Sequence, residues 1–146
     1  MPDQSYLDWP FLEDHHRTWA ARVEAFAKSL SVDHADTDAA CRGLVRDMGD
    51  AGLLEATGGT LDVRTLCLAR EILARHEGLA DFSFAMQGLG TGAISLFGTE
   101  DQKANWLPLT QSGKAIAGFA LTQPQSGSDV TNSTMTAIRD GDDYVL

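Results

Sequence analysis

The sequence predicts a mainly α-helical fold, an N-terminal helical bundle followed by the first strands of an incomplete β-barrel-like domain. Apolar residues recur at helical spacing through most of the first 114 residues, and after Gly113 the period changes to that of strands. A run of helices followed by a run of strands is typical of two consecutive units. We expect a helical domain over residues 1–114 and the opening strands of a truncated β domain over residues 115–146.

The composition narrows the classes of function. The chain has 11 basic and 21 acidic residues and a net charge of −10, which disfavours binding to nucleic acid or to an anionic membrane surface. No apolar run approaches the roughly 20 residues that span a bilayer, and the N-terminus does not resemble a secretory signal. Cys41 and Cys67 are isolated from each other, as expected of reduced thiols, so the predicted compartment is the cytoplasm.

Three helices are predicted before residue 80, each with its own start or stop signal. The first covers residues 13–30 and has one apolar face. The second follows Thr37 as its N-cap, and the third begins after Asp62 and ends at Gly78. No metal site is predicted, because the His15-His16 pair lies on a charged helix face, is expected to be solvated, and has no further ligand at metal spacing.

The segment from Asp81 to Phe97 fits both a strand and a helix. Its first half alternates apolar residues, whereas its second half follows helical spacing. We predict a buried helix, because Gly98 provides a C-cap and a new helix start follows directly.

That start is a predicted capping box, in which Thr99 accepts from the Gln102 N–H and the Gln102 side chain bonds back to Thr99. In this fifth helix, Trp106 and Leu109 are expected to face the core. Pro108 is expected to kink or shorten the helix.

Strands are predicted in the last 31 residues. Ile116 to Thr122 forms the first and Thr134 to Arg139 the second, and the Asp140-Gly141 pair is a hairpin signal that leads into a returning strand at Tyr144 to Leu146.

The loop from Thr122 to Asp129 is the strongest candidate site. Thr122 offers a hydroxyl at a strand end, Gly127 allows close approach of the backbone, and Ser128 with neighbouring N–H groups can form an anion-binding nest. Such a loop suits a flat ring edge or a phosphate. From composition alone, the alternative is an ordinary surface loop between two strands.

Three ordered motifs resemble the acyl-CoA dehydrogenase family. Phe119 to Asp129 resembles its flavin-binding signature, an aromatic residue followed by x-φ-T-E-P-x-x-G-S-D. Leu96 to Gly113 resembles its FGTEEQKxxyLPxLxSG segment, and Arg46 to Gly59 resembles its GLLG and GG turns. The resemblance covers roughly residue 13 to Leu146, and three motifs in the right order are far more specific than one.

The resemblance implies a fold, a cofactor and a reaction. Family members have an N-terminal helical domain, a middle β domain and a C-terminal helical bundle, and they hold FAD between domains and across subunits, so a homo-oligomer is expected. The reaction is the α,β-desaturation of an acyl-CoA thioester, in which a carboxylate removes the α-proton and the β-hydride passes to flavin N5. The electron-transfer partner is not indicated.

The resemblance also assigns roles to residues of this chain. The expected FAD-binding residues are Phe119, Leu121, Thr122, Gly127 and Ser128, with Leu121 and Thr122 at the isoalloxazine edge and Ser128 near the pyrophosphate and the thioester. The helix before Gly98 is expected to border the acyl-chain tunnel, so the substrate-binding candidates are Ser128, Met86, Leu89, Gly90 and Ala93.

The chain departs from the family pattern in two respects. Gln123 stands where the family has Glu, which removes a charge but keeps an acceptor, so flavin binding is expected to survive. The second flavin-contacting strand and the catalytic carboxylate belong to later parts of family members, so no residue here is a candidate base and the chain alone is expected to be inactive. The alternatives are a flavin oxidase or monooxygenase on the same scaffold, and a short non-catalytic protein that acts through a partner.

Overall fold

The computed structural model describes residues 3–146 and contains five α-helices followed by two short strands. This confirms the prediction of a mainly α-helical fold in which the helices precede the strands. Three short 3-10 turns lie at Ser5–Asp8, Leu53–Thr57 and Val130–Asn132. The helices are α1 (Asp14–Ser29), α2 (Thr37–Asp50), α3 (Val63–His76), α4 (Gly78–Phe97) and α5 (Glu100–Gln111), and the strands are β1 (Ile138–Asp140) and β2 (Asp143–Val145).

Helix α4 is the central element of the bundle. It packs against α2, α3, α5 and the turn at Leu53–Thr57, while α1 lies on α3. Its helical form was ambiguous in the sequence and is confirmed here. The core that these elements enclose is apolar and is built mainly from Val23, Leu44, Val45, Met48, Leu53, Leu54, Ile72, Leu73 and Phe84.

A single residue, Glu77, separates α3 from α4. Its backbone N–H donates to the Leu73 carbonyl and closes α3, and its side chain accepts from the Leu79 N–H and caps α4. Gly78 was expected to end α3, and instead it is the first residue of α4. The Glu77 cap explains the difference, because it allows the new helix to begin one residue after the old one ends.

The fifth helix begins with the predicted capping box. Thr99 Oγ1 accepts from the Gln102 N–H at 3.2 Å, and Gln102 Oε1 accepts from the Thr99 N–H at 2.9 Å. The helix continues past Pro108 to Gln111, so Pro108 does not shorten it.

The core-facing residues predicted in α5 were wrong. Trp106 and Leu109 are 52% and 41% exposed, whereas Leu107 and Thr110 are buried. Leu107 packs near Gly58, where an added Cβ would lie 3.2 Å from a Leu107 methyl group. The side of α5 that meets the rest of the bundle therefore carries Leu107 and Thr110, whereas Trp106 and Leu109 lie on its exposed side.

His16 is fully buried, which corrects the prediction that both histidines are solvated. Its Nδ1 accepts from the Glu13 N–H at 3.0 Å, and its Nε2 lies 2.8 Å from Asp62 Oδ2. Ligand atoms of His15, His16 and Asp62 lie within 4.8 Å of one another. Because His16 uses both ring nitrogens in hydrogen bonds, we interpret the cluster as a junction between the starts of α1 and α3 rather than as a metal site.

Asp62 is the acidic centre of this junction. It caps α3 by accepting from the Arg64 N–H at 2.9 Å, and the Arg64 side chain pairs with it at 3.3 Å. Burial raises the pKa of Asp62, but hydrogen bonds from His16 and Arg64 outweigh that effect and hold the pKa well below its usual range. Asp62 therefore stabilises the fold as a carboxylate.

The strands form an exposed antiparallel hairpin. Ile138 pairs with Val145 and Asp140 with Asp143 around the predicted Asp140-Gly141 turn, and every residue of both strands is exposed.

The strand predicted at Ile116 to Thr122 does not form. Within residues 3–146 nothing pairs with this segment along its length, and a strand exists only where a neighbour completes its hydrogen-bond ladder.

No helix in the described part of the chain combines the length and the apolar character needed to cross a bilayer.

Replacing Asp62 with Asn is predicted to lower the free energy of unfolding by about 1 kcal/mol at pH 7, because Asn keeps the N-cap but loses the charge-assisted bonds. The folded-state pKa is depressed, so the stabilisation is present above about pH 4, the pKa of an unfolded Asp, and is lost as the pH falls through the folded pKa. Urea unfolding of both proteins from pH 7 to pH 2 measures this difference.

The matched control is Asp38→Asn on α2, where the carboxylate is 87% exposed and pairs with Arg42 at 3.6 Å. Its effect is expected to stay within about 0.5 kcal/mol at every pH. An Asp62→Asn deficit that does not shrink in acid would contradict the role of the Asp62 charge.

Candidate functional site

The candidate loop is joined to the helical bundle by Gln87, a residue of α4 that is only 1% exposed. Its Nε2 donates to the Thr110 carbonyl at 2.8 Å and to the Ala115 carbonyl at 2.7 Å. Its Oε1 accepts from the Ala117 N–H at 3.0 Å. The Gln87 side chain thus binds the last turn of α5 and also Ala115 and Ala117, two residues of the segment that leads into the loop.

Gly90 lies one helical turn further along α4 and touches the same segment. A Cβ added to Gly90 would lie 2.5 Å from the Ala117 Cβ and 2.7 Å from the Gly118 nitrogen. No side chain fits in that space, so the absence of a Cβ lets residues 117–118 cross α4 in direct contact. Gly90 was predicted to line a substrate tunnel, and in this structure it contacts the backbone.

Beyond Gly118 the chain runs to a tight turn that closes on itself. The backbones of Gln123 and Ser126 exchange two hydrogen bonds, at 2.9 and 3.1 Å. Ser126 Oγ donates to the Asp129 carbonyl at 2.8 Å, and Thr131 Oγ1 donates to Asp129 Oδ1 at 2.6 Å. These bonds hold the loop by contacts within itself.

Gln123 begins this turn and is 9% exposed. Its Nε2 donates to Ser133 Oγ at 2.6 Å, and its Oε1 accepts from the Thr134 N–H at 3.1 Å and from Gln125 Nε2 at 2.9 Å. A glutamate at this position would keep the acceptor and lose the donor. The Gln123 amide therefore uses both its donor and its acceptor to hold this loop.

The five predicted cofactor-binding residues all lie on the exposed part of this segment. Their backbone N–H groups form no hydrogen bond with any residue from 3 to 146, and neither do the hydroxyls of Thr122 and Ser128. From Ala115 to Ile138 the only charged side chain is Asp129. An acceptor-rich ring edge or a phosphate would therefore be held by neutral donors, which is the chemistry this donor set offers. The residues are Phe119, Leu121, Thr122, Gly127 and Ser128.

The substrate candidates on α4 do not share one cavity. Met86 lines a 190 Å³ cavity between α2 and α4, Leu89 lines a 330 Å³ cavity between α3 and α4, and Ala93 lies in a 240 Å³ recess beside Phe97. A larger cavity of 560 Å³ between the end of α1 and α2 is lined by none of the nine candidate residues. The assignment of Met86, Leu89, Gly90 and Ala93 to one acyl-chain tunnel remains a prediction.

Sequence reasoning missed Gln87. It is the one amide in a helix of otherwise apolar, small or hydroxyl-bearing residues, apart from Asp81 near the start. A lone amide on a helix predicted to be buried signals a backbone partner, because a buried polar group without one is costly. That signal was available, but its partners lie 23 to 30 residues away along the chain.

Comparison with known proteins places the helical part of the chain in a family. The family model described as acyl-CoA dehydrogenase, N-terminal domain, matches residues 13–114. The short-chain specific acyl-CoA dehydrogenase of Bos taurus mitochondria is 35% identical over 135 residues, which cover 86% of this chain and 32% of that protein. The probable acyl-CoA dehydrogenase YngJ of Bacillus subtilis (strain 168) is 33% identical over 85% of this chain and 36% of its own length.

Solved structures give the same result. An acyl-CoA dehydrogenase from Bacillus anthracis, complexed with FAD, matches with a TM-score of 0.72 and 28% identity over 94% of this chain and 27% of that one. Glutaryl-CoA dehydrogenase from Mycobacterium smegmatis matches with a TM-score of 0.74 and 28% identity over 92% and 38%. The chain thus spans roughly a third of the length of the proteins that it resembles.

Replacing Gly90 with Ala is predicted to destabilise the chain by about 1–3 kcal/mol, because the new methyl group collides with Ala117 and Gly118. Gly92→Ala is the matched control on the same helix, since a Cβ there meets nothing within 4 Å. Its helix propensity is expected to add about 0.5–1 kcal/mol of stability. Urea unfolding of the two variants checks the opposite signs, and equal effects would refute the close contact.

Proposed function

This chain belongs to the acyl-CoA dehydrogenase family, and we propose that it forms the N-terminal helical domain and the flavin-binding loop of an FAD-dependent acyl-CoA dehydrogenase-like oxidoreductase. One observation carries the proposal. The segment that resembles the family's flavin signature presents exposed backbone donors with no partner among residues 3–146. Unpaired donors gathered on a loop with so little charge are suited to a ligand that is rich in acceptors.

The proposed contacts follow from the resemblance of residues 119–129 to the flavin signature of the family. The Leu121 and Thr122 N–H groups and the Thr122 hydroxyl would hold the edge of the isoalloxazine ring, in the segment that begins at Phe119. Gly127 and Ser128 would hold the pyrophosphate. The chemistry that bound FAD would supply is a hydride acceptor for the β-carbon of the substrate. The residues of this chain hold and orient the ring, and the base that removes the α-proton belongs to another part of the protein.

The substrate class proposed is an acyl-CoA thioester that is desaturated between its α and β carbons. Ser128 lies within the loop that would meet both cofactor and thioester. The resemblance assigns the acyl-chain tunnel to Met86, Leu89, Gly90 and Ala93 on α4, of which Gly90 contacts residues 117–118. We also propose a cytoplasmic homo-oligomer in which subunits share the flavin. We further propose that the helical domain covers residues 1–114 and that the opening strands of the β domain cover residues 115–146.

The test is the complete product of the gene that encodes this chain. The expected result is a yellow protein whose bound flavin is bleached by an acyl-CoA without oxygen and recovers with an electron-accepting dye. Bleaching that is reversed by oxygen with formation of hydrogen peroxide would identify the oxidase alternative instead. A colourless product that takes up no FAD would overturn the proposal.

The 146-residue chain by itself is predicted to turn over no acyl-CoA and to bind FAD weakly or not at all. The reason is that the second flavin-contacting strand and the base of family members lie in their later parts. Butyryl-, octanoyl- and palmitoyl-CoA, each assayed with the purified chain, FAD and an electron-accepting dye, check the prediction. Dye reduction above the rate without protein would refute it.

Thr122→Val in the complete gene product is predicted to weaken FAD binding about 10-fold, the effect of losing one hydrogen bond to the ring. The melting temperature without FAD is expected not to change, because the Thr122 hydroxyl has no partner in the described chain. Thr136→Val is the matched control, since Thr136 is also exposed but lies outside the loop. Fluorescence titration with FAD measures both, and an equal loss in both variants would argue against the Thr122 contact.

A further inference from the structure

The bonds of Gln87 meet at the point where the chain leaves the helical bundle. Ala115 and Ala117 flank Ile116, and Gln87 binds the carbonyl of the first and the N–H of the second. The third bond goes to the Thr110 carbonyl in the last turn of α5. The direction in which the chain leaves the bundle is therefore fixed by a buried side chain on α4 and not by a strand ladder.

We propose that Gln87 is a positioning residue for the flavin-binding segment, a role that rests on the proposed function. Gln87 sets where Phe119 to Thr122 stand by fixing Ala117, which precedes them. An extended chain advances at most about 3.3–3.6 Å per residue, so the distance from Ala117 to the Leu121 N–H is at most about 14 Å. Moving the Ala117 anchor therefore moves the region within which these donors can lie.

A second anchor lies on the other side of these donors. Gln123, buried at the start of the turn, binds Ser133 and Thr134. The donors at Leu121 and Thr122 thus lie between two buried amides, one fixed to the helical bundle and one fixed to the loop. This arrangement positions the donors without using their own hydrogen-bonding groups, which stay free for a ligand.

Only glutamine meets the requirements of position 87. Two carbonyls must be given donors and one N–H must be given an acceptor, which an amide does and a carboxylate does not. Asparagine has the same groups on a shorter stem and cannot reach all three partners from the same backbone. A Glu at this position would also place a buried charge against two carbonyl oxygens, which is unfavourable.

The contact with Gly90 supports the same role from a different direction. The Ala117 Cβ and the Gly118 nitrogen lie where a side chain of residue 90 would stand. Residues 117–118 are therefore held by one hydrogen bond, from the Ala117 N–H to Gln87, and by direct packing against Gly90 at the next turn of α4. Two contacts at successive turns fix both the position and the direction of the segment.

The experiment compares Gln87→Leu with Gln111→Leu in the complete gene product. Gln111 is the matched control because its Nε2 also donates to a backbone carbonyl, that of Glu55 at 3.1 Å, but holds no residue of the flavin segment. Both variants are expected to lose stability. Only Gln87→Leu is expected to weaken FAD binding, by about 10-fold or more, and to shift the visible absorption bands of the flavin that remains bound.

A measurement on the unsubstituted protein avoids any loss of folding. Without FAD, the Ala117 amide is expected to exchange its hydrogen as slowly as amides within α4, whereas the Leu121 and Thr122 amides exchange rapidly and become protected when FAD is added. Rapid exchange at Ala117 would overturn the anchor.

The outcomes separate this role from the proposed function. An unsubstituted protein that takes up no FAD would overturn both. An unsubstituted protein that binds FAD, together with a Gln87→Leu variant of equal affinity and unchanged spectrum, would overturn the positioning role alone. Equal FAD loss in Gln87→Leu and Gln111→Leu would show a general effect of destabilisation and would also refute it.

Discussion

The hydrogen bonds between buried polar side chains of α4 and the non-helical segments around it are the constraint on which the rest of the structure depends. Thr91 Oγ1 donates to the Thr57 carbonyl at 2.8 Å, and Ser95 Oγ accepts from the Gly59 N–H at 3.2 Å. Gln87 does the same for the segment after α5. A helix surrounded by other elements has little water for these groups, and the side chains of Gln87, Thr91 and Ser95 each fix one stretch of backbone beside α4. Apolar packing gives the bundle its core, and these bonds decide where the loops leave it.

How well the sequence predicted an element depended on how local its causes are. The capping box at Thr99 and Gln102 was predicted correctly because all of its atoms lie within one turn. The hairpin at Asp140-Gly141 is local in the same way. The burial of His16 was missed because its partner Asp62 is 46 residues away, and nothing near His16 in the sequence indicates that contact. The strand at Ile116 to Thr122 was wrong for the related reason that a strand needs a neighbour, and alternation alone does not supply one.

The candidate site divides along the same line. The residue types of the loop, Thr, Gly and Ser among few charges, are local and predicted a surface for an acceptor-rich ligand. The anchor at Gln87 and the close contact at Gly90 are long-range, and only the structure shows them. The resemblance to a family supplied roles for the loop residues but did not indicate what holds them. The α4 candidates stand apart from one another in the structure, because residues on one helix face can border several neighbours.

The self-contained turn from Gln123 to Asp129 has a thermodynamic consequence. Its backbone pair and side-chain bonds are satisfied internally, so the conformational entropy of this stretch is lost when the chain folds and not when a ligand arrives. Association at such a preorganised surface retains more of the enthalpy of its contacts as affinity. It also favours selectivity by shape, because Gly127 and Ser128 present their N–H groups from a stretch whose conformation is already ordered.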